Sequence, residues 1–428
     1  MNVLSTITGQ RRDYILHWVK MVWITGLAQM AVQVLGFASG LLVIHLLSVQ
    51  EYAYYTLANG MLATMTLLAD GGISTGVIAQ GGRIWQDRIR LGVVVTSGLE
   101  LRRKFAIFGL GTGVPIMLFL LHHHGASWMM GTIVSLCLIP AFVSVLSGSL
   151  LEIVPRLRQE IAPLQKIQVQ ANGVRLALIG LTLFTLPKAF VALCAAGFPQ
   201  FWVNRRLRDL SGQHADLSQK SDVIIKNEIM LIVKRIMPGT IYYCFSGQIT
   251  IFIIALFGSS RSLAQVGALS RLAAALNLIG ALFNTLVLPR FVRQMVHRKT
   301  MLARFFKLQV GFGMLFGVIT LMASVFSRQM IWVLGKDYVG INGEVVYIMA
   351  GSCLSMISGM TYHLCVSLGH VLRPAISVGI SILTQLIALY YIDCTTVHGV
   401  FIFSIYTAIM QYIMWFYYFI HIYNNEKL

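Results

Sequence analysis

The chain has 428 residues, of which 57% are hydrophobic and 11% charged, with a mean hydropathy of +0.75. A soluble globular protein of this size needs a polar surface and does not reach such values, so the composition excludes that class and points to a polytopic membrane protein. The formal net charge of +18 does not indicate nucleic-acid binding: the basic residues lie in short connections between apolar runs, where they read as topology signals and contacts to lipid headgroups.

The first twenty residues are polar, with Arg11, Arg12 and Asp13, and carry no apolar core of a cleavable signal. Apolar runs then recur at 21–46, 52–79, 105–121, 128–150, 170–186, 189–203, 237–257, 264–288, 308–326, 345–369, 374–391 and 397–420. About 20 residues at a rise of 1.5 Å cross the hydrocarbon core of a bilayer, so these twelve runs predict twelve transmembrane helices. The fifth and sixth are short and meet at Leu186-Pro187-Lys188; if they form one hairpin, the count is eleven. With the N-terminus inside, 27 of the 33 Lys and Arg fall on the inner connections and four on the outer ones. This bias predicts cytoplasmic termini. The six cysteines have no CxxC spacing and mostly lie inside apolar runs, so they read as small core residues.

The longest inner connection mixes charges and divides the chain into 1–204, a linker at 205–235, and 236–428. Each half holds six spans, which predicts two lobes related as parallel repeats about an axis along the membrane normal. A shift of about 212 residues lays Ser48 on Ser260, Leu57 on Leu269 and Ala63 on Ala275, and makes Asn59 equivalent to Arg271.

Polar residues inside the runs are the candidate site residues, because such groups avoid lipid and face a partner or a cavity. In the second run Asn59, Thr66 and Asp70 share one line of the helix, with Tyr55 beside it. In the first run Gln29 and Gln33 share a face with Thr25, Gly36 and Gly40, and in the eleventh Ser377, Ser381 and Thr384 do so. Asn277 adds an amide to the eighth run, and Tyr242, Tyr243 and Gln248 mark the seventh. Each stripe is open to a second reading, as helix-to-helix hydrogen bonding or an interfacial tyrosine belt. His122, His123 and His124 are consecutive, a spacing that does not wrap three ligands round one metal.

Two stretches resemble a family. Leu46-Leu47-Ser48-Val49-Gln50-Glu51-Tyr52-Ala53-Tyr54-Tyr55 followed by Leu68-Ala69-Asp70-Gly71-Gly72-Ile73 is similar to the first hairpin of Wzx-type polysaccharide flippases, with Ala53 where that family usually has glycine. They belong to the multidrug, oligosaccharidyl-lipid and polysaccharide exporter superfamily. Gly267-Ala268-Leu269-Ser270-Arg271-Leu272 through Leu288-Pro289-Arg290 resembles the eighth helix of the same family. The resemblance implies a V-shaped bundle of two six-helix lobes in the bacterial inner membrane. Its implied cargo is an undecaprenyl-diphosphate-linked oligosaccharide, flipped to the outer leaflet by alternating access. It also implies a polysaccharide polymerase and a chain-length regulator as partners beside membrane lipids, and no cofactor.

Within that reading Arg271 is the candidate contact for the diphosphate, because a guanidinium donates paired hydrogen bonds to phosphate oxygens and stays charged. The alternative is a structural partner, Asp70 or a helix-end carbonyl. Arg175 is a second cation, close to the start of its run and able to snorkel. Asp70 reads as a counter-ion, with proton or sodium coupling as its other role. Two further function classes compete: a small-molecule or ion antiporter of the same architecture, which needs coupling acids in its spans, and a polymerase or ligase of lipid-linked sugars. The longest outer segment, 327–344, lacks the acid pair with a base that such an enzyme would need.

Overall fold

The computed structural model describes residues 26–425 except 284–286, 289–290, 292–297, 339 and 368–371. The polar first twenty residues and the Pro289-Arg290 part of the second resembling stretch lie outside the described residues. Helices account for the regular structure of the described residues, and no strand occurs among them. In chain order they are α1 (Gly26–Leu46), α2 (Val49–Asp70), α3 (Ile73–Gly81), α4 (Arg88–His123), α5 (Trp128–Leu151), α6 (Ile153–Leu157), α7 (Ile161–Thr185), α8 (Ala189–His214) and α9 (Val223–Gly247). There follow α10 (Ile249–Phe257), α11 (Ser260–Ala274), α12 (Asn277–Leu282), α13 (Arg298–Val325), α14 (Ser327–Leu334), α15 (Asn342–Ser367), α16 (Pro374–Tyr391) and α17 (Val397–Asn425).

Among the described residues nine helical stretches are long and apolar enough to cross a membrane, and two bent pairs raise the number to eleven. The pairs are α2 with α3, bent by 46°, and α9 with α10, bent by 55°. The first bend follows from the sequence Asp70-Gly71-Gly72: both glycines have positive φ, +50° and +95°, which glycine adopts without steric cost. The sixth predicted run, 189–203, lies in α8, a helix of 26 residues that is not among these eleven and packs against α7. The two short runs are therefore separate helices, joined by the exposed Leu186-Pro187-Lys188.

Helix ends depart from the sequence reading where charged residues begin. The inner connection expected before residue 105 is helical from Arg88, and α4 runs for 36 residues. Likewise α8 continues to His214 and α9 starts at Val223, leaving only 215–222 of the expected linker outside helices. Hydropathy marks where a helix leaves the membrane, whereas Arg, Lys, Glu and Leu extend a helix readily once outside it.

The contacts divide the chain into two compact units, whose boundaries pass through α1, α2, α4, α5 and α9. The first gathers residues up to Leu42 with Met65–Pro115 and Thr132–Thr240. Its core joins α3, α4, α5, α7, α8 and α9 through Ile73, Val77, Leu91, Val95, Leu150, Leu164, Leu207 and Ile229, all buried. The 215–222 segment is fastened to α4. Asp216 N–H donates to Arg88 O at 2.9 Å, Asp222 N–H to Ser97 Oγ at 3.0 Å, and Lys226 Nζ pairs with Glu100 at 3.0 Å. Gly92 makes this seat possible, since a Cβ there would stand 2.1 Å from Asp216 O.

The second unit gathers Val43–Thr64, Ile116–Gly131 and Ile241–Leu428. Its centre is aromatic, with Phe305 stacked on Phe419 at 3.8 Å and Tyr362 edge-on to Trp415 at 4.8 Å. In the neutral pair Gln309 and Thr361, Gln309 Nε2 donates to Thr361 Oγ1 at 2.9 Å, while Gln309 Oε1 is buried without a hydrogen-bond partner. Outward faces carry large apolar side chains: Trp332 is 81% and Tyr390 83% exposed. Such exposure suits lipid rather than water.

In this unit the three consecutive histidines take three different partners. His122 stacks on Trp128 at 4.3 Å, His123 stacks on Phe119, and His124 turns inward. His124 Nε2 lies 2.8 Å from Ala255 O and its Nδ1 3.2 Å from Ser260 Oγ, so the ring ties the 124–127 loop to the turn between α10 and α11. Burial holds His124 below its usual pKa, a cost that the Ala255 carbonyl partly offsets and neighbouring His123 adds to. The folded value is depressed, so the stabilisation is complete above the ordinary histidine value and is lost as pH falls below it toward the folded value. We expect the unfolding midpoint in detergent to drop between about pH 7.5 and 5.5, and His124→Gln to remove part of that drop. Equal pH slopes for both proteins would refute the assignment.

Candidate functional site

The seat of Arg271 is built by the approach of α11 to α2. Serines begin both helices: Ser48 Oγ accepts Glu51 N–H at 3.4 Å and Ser259 Oγ accepts Ser262 N–H at 3.1 Å. Such caps satisfy amides that the first turn leaves open. The helices then come together at Gly267, where a Cβ would stand 2.3 Å from Thr56 Oγ1. One turn further along α11, the Arg271 guanidinium faces the phenol hydroxyls of Tyr52 and Tyr55, in contacts looser than an ideal hydrogen bond. Tyr52 stacks on Tyr55 at 6.1 Å and meets Tyr338 edge-on at 6.4 Å; all three rings are buried. Arg271 itself is half-buried and has no carboxylate partner among the described residues. Neither Asp70 nor a helix-end carbonyl is its partner in this arrangement.

Asn59 is one turn beyond Tyr55 on α2, half-buried, with its Nδ2 donating to Tyr55 O at 2.8 Å. Arg271, Tyr52, Tyr55 and Asn59 thus form one constellation, and Asn59 contributes to it through the helix backbone. Asn277 opens α12 and is exposed. Gln29 and Gln33 are both half-buried on α1. Arg175 is not near a helix start: α7 begins at Ile161, so Arg175 lies in mid-helix. It is half-buried, and its Nε is enclosed without a protein hydrogen-bond partner. The tyrosines of the seventh run separate: Tyr242 Oη accepts from Gln385 Nε2 at 3.1 Å and is buried, while Tyr243 is exposed.

Asp70 belongs to a second constellation, in the first unit. Its partner is Arg102 of α4, whose side chain is 4% exposed. Arg102 Nη2 and Nε both donate to Asp70 Oδ1, the latter at 3.1 Å. Its Nη1 donates to Leu146 O and, at 2.8 Å, to Ser149 Oγ. Ser74 completes the ring, its Oγ donating to Asp70 Oδ1 at 2.8 Å and its N–H to the same oxygen at 3.2 Å. Arg102 was counted by sequence among the inner connection charges. The signal that could have singled it out is the periodicity of α4: Val94, Val95, Leu101 and Arg102 fall on the buried side, while Arg103 and Lys104 stay exposed.

A buried cation left without its acid costs about 3–5 kcal/mol, more than the pair contributes over an apolar replacement. Asp70→Asn should therefore lower the amount of assembled protein, Asp70→Leu should lower it further, and Asp70→Leu with Arg102→Met should recover much of the loss. The readout is detergent-extracted monomer by size-exclusion chromatography. Strict additivity of the two single losses would show that the ring carries no coupling.

No protein-family model matches the chain, and no curated protein matches it in sequence. Solved structures do match. An inward-facing multidrug resistance MATE family transporter of the MOP superfamily superposes with a TM-score of 0.70 at 14% identity, covering 92% of this chain and 96% of the other. An outward-facing structure of such a transporter gives 0.61 at 13% identity, with 95% of each chain covered. The eukaryotic MATE transporter AtDTX14 gives 0.60 at 15%, covering 95% of this chain and 96% of the other. At these identities the likeness defines architecture: this multi-pass membrane protein has the all-helical MATE-like fold.

Proposed function

We propose that the chain is a transporter that carries an anionic solute across its membrane by alternating access. The transporter class is supported by the fold shared with MATE proteins over more than nine-tenths of both chains. Two of the matching structures are described as multidrug resistance transporters, which supports a small solute over the lipid-linked oligosaccharide expected from sequence. The charge preference rests on one observation. Arg271 sits half-buried against two phenols, with no carboxylate partner among the described residues, so its charge is available to an anion. The buried phenol rings hold the guanidinium in place and do not themselves face a cargo. Asp70 is a poor coupling acid in this arrangement, because its Oδ1 already accepts from Arg102 and Ser74.

Polyprenyl-diphosphate-linked sugar remains a second cargo, for a specific reason: Arg271 lies in one of the two stretches that resemble Wzx-type flippases. In that reading polysaccharide polymerase and chain-length regulator are the partners. The distribution of basic residues supports a bacterial cytoplasmic membrane with both termini inside.

Arg271 separates binding from scaffolding. Lysine keeps charge but lacks the fork, and alanine removes both, so uptake of a lipophilic anionic dye into inverted vesicles should fall in that order. Alanine should lose about tenfold or more, the equivalent of one charge-assisted hydrogen bond, at unchanged protein abundance. Loss of surface polysaccharide without loss of dye transport would favour the lipid-linked cargo. Near-wild-type behaviour of Arg271→Ala in both assays would exclude Arg271 as a cargo contact.

A further inference from the structure

Helices α5 and α8 pack in parallel at a nearly constant offset. Asn204 Nδ2 donates to Ser147 Oγ at 2.7 Å across 57 residues, and one to two turns further Ser211 Oγ donates to Leu151 O at 2.8 Å. Toward their N-terminal ends the two backbones draw close at Ala141 and Gly197, where a Cβ on the glycine would stand 3.0 Å from Ala141 Cβ. One turn before that contact the same offset pairs Cys137 with Cys194, and the two thiols are neighbours. Both are reduced in this structure, Cys137 half-buried and Cys194 exposed. The other four cysteines, 244, 353, 365 and 394, are buried.

A disulfide needs a Cβ separation of roughly 3.5–4.5 Å and Cα atoms about 4.4–6.8 Å apart. One turn away, a Cβ on Gly197 would stand 3.0 Å from Ala141 Cβ, closer than a disulfide needs, so the two helices approach tightly enough at this level for a bridge. Cys194 is the sixth residue of α8 and Cys137 the tenth of α5, about 8 and 14 Å along from helix starts that adjoin the exposed Lys188 and Trp128, so a membrane-permeant oxidant meets the exposed Cys194 first.

We propose that Cys137 and Cys194 form a redox-active dithiol, a modification site that closes to a disulfide by exchange with a small membrane-permeant disulfide. The Cys194 thiolate attacks one sulfur of the oxidant and expels a thiolate, and Cys137 then attacks Cys194 and expels the second. The two protein thiols give up two protons and two electrons, and the oxidant disulfide becomes two thiols. The product staples α5 to α8 and leaves four thiols. The sequence reading of all six cysteines as inert core residues is thereby amended for this pair.

The test uses the full chain purified in detergent with diamide as the oxidant, followed by denaturation and alkylation of every remaining thiol. Two of the six thiols should be lost to alkylation. Mass spectrometry should find the peptides of Cys137 and Cys194 linked, the link should be reversed by dithiothreitol, and the chain should stay monomeric on a non-reducing gel. Phenylarsine oxide, which bridges paired thiols, should block the reaction when added first. Cys137→Ser and Cys194→Ser should each keep five alkylatable thiols after diamide. Six alkylated thiols in the wild-type chain, or a link that uses any other cysteine, would overturn the proposal.

Discussion

Enclosing a guanidinium among helices removes it from water at a cost of several kcal/mol, and only a full set of acceptors makes that tolerable. For Arg102 the set comprises Asp70, Ser74, the Leu146 carbonyl and Ser149, contributed by α2, α3 and α5. Much of the first unit is arranged so that these groups converge. α2 has to end at Asp70, the chain has to turn through two glycines, and α3 has to start with Ser74 in its first turn. The 46° bend is thus a consequence of pairing as much as of glycine content.

The second unit answers the same problem differently. Its half-buried cation meets phenols instead of a carboxylate, which leaves the charge only partly compensated. Partial compensation is what distinguishes a group kept for binding from one kept for assembly: a structural ion pair saturates its own hydrogen bonds, whereas a recognition site holds some in reserve. Arg102 is saturated in this sense, whereas Arg271 has no carboxylate partner among the described residues.

Much of the architecture was legible because membrane spans are the strongest signal a sequence carries. The long apolar runs coincide with helices, and the Asp70-Gly71-Gly72 stretch fell at a bend. What was not legible has a common cause. Hydropathy is blind to helix continuation into water, so Arg88–Lys104 and much of 205–235 read as connections although they are helical. It also counts charge without asking which way a side chain points, and Arg102 was lost among Arg103 and Lys104 for that reason. Pairings between distant segments escaped as well. Neither Arg271 against Tyr52 nor Cys137 against Cys194 follows from spacing along the chain, since each depends on where two helices approach. Gly267 and Gly197 mark those approaches, but a glycine in an apolar run looks the same whether it faces lipid or a neighbour.

The seat of residues 215–222 on α4 bears on how this protein can be engineered. A polar segment between two halves is the customary place to cut a transporter into fragments or to insert a reporter domain. Here that segment has its backbone committed to Arg88 and Ser97 and a carbonyl lodged against Gly92. Tolerance of an insertion follows the hydrogen bonding of the local backbone, not its hydrophilicity. The exposed Leu186-Pro187-Lys188 turn, where Leu186 N–H and Lys188 N–H donate only locally, to Thr182 O and Leu186 O, is the more permissive place for a tag.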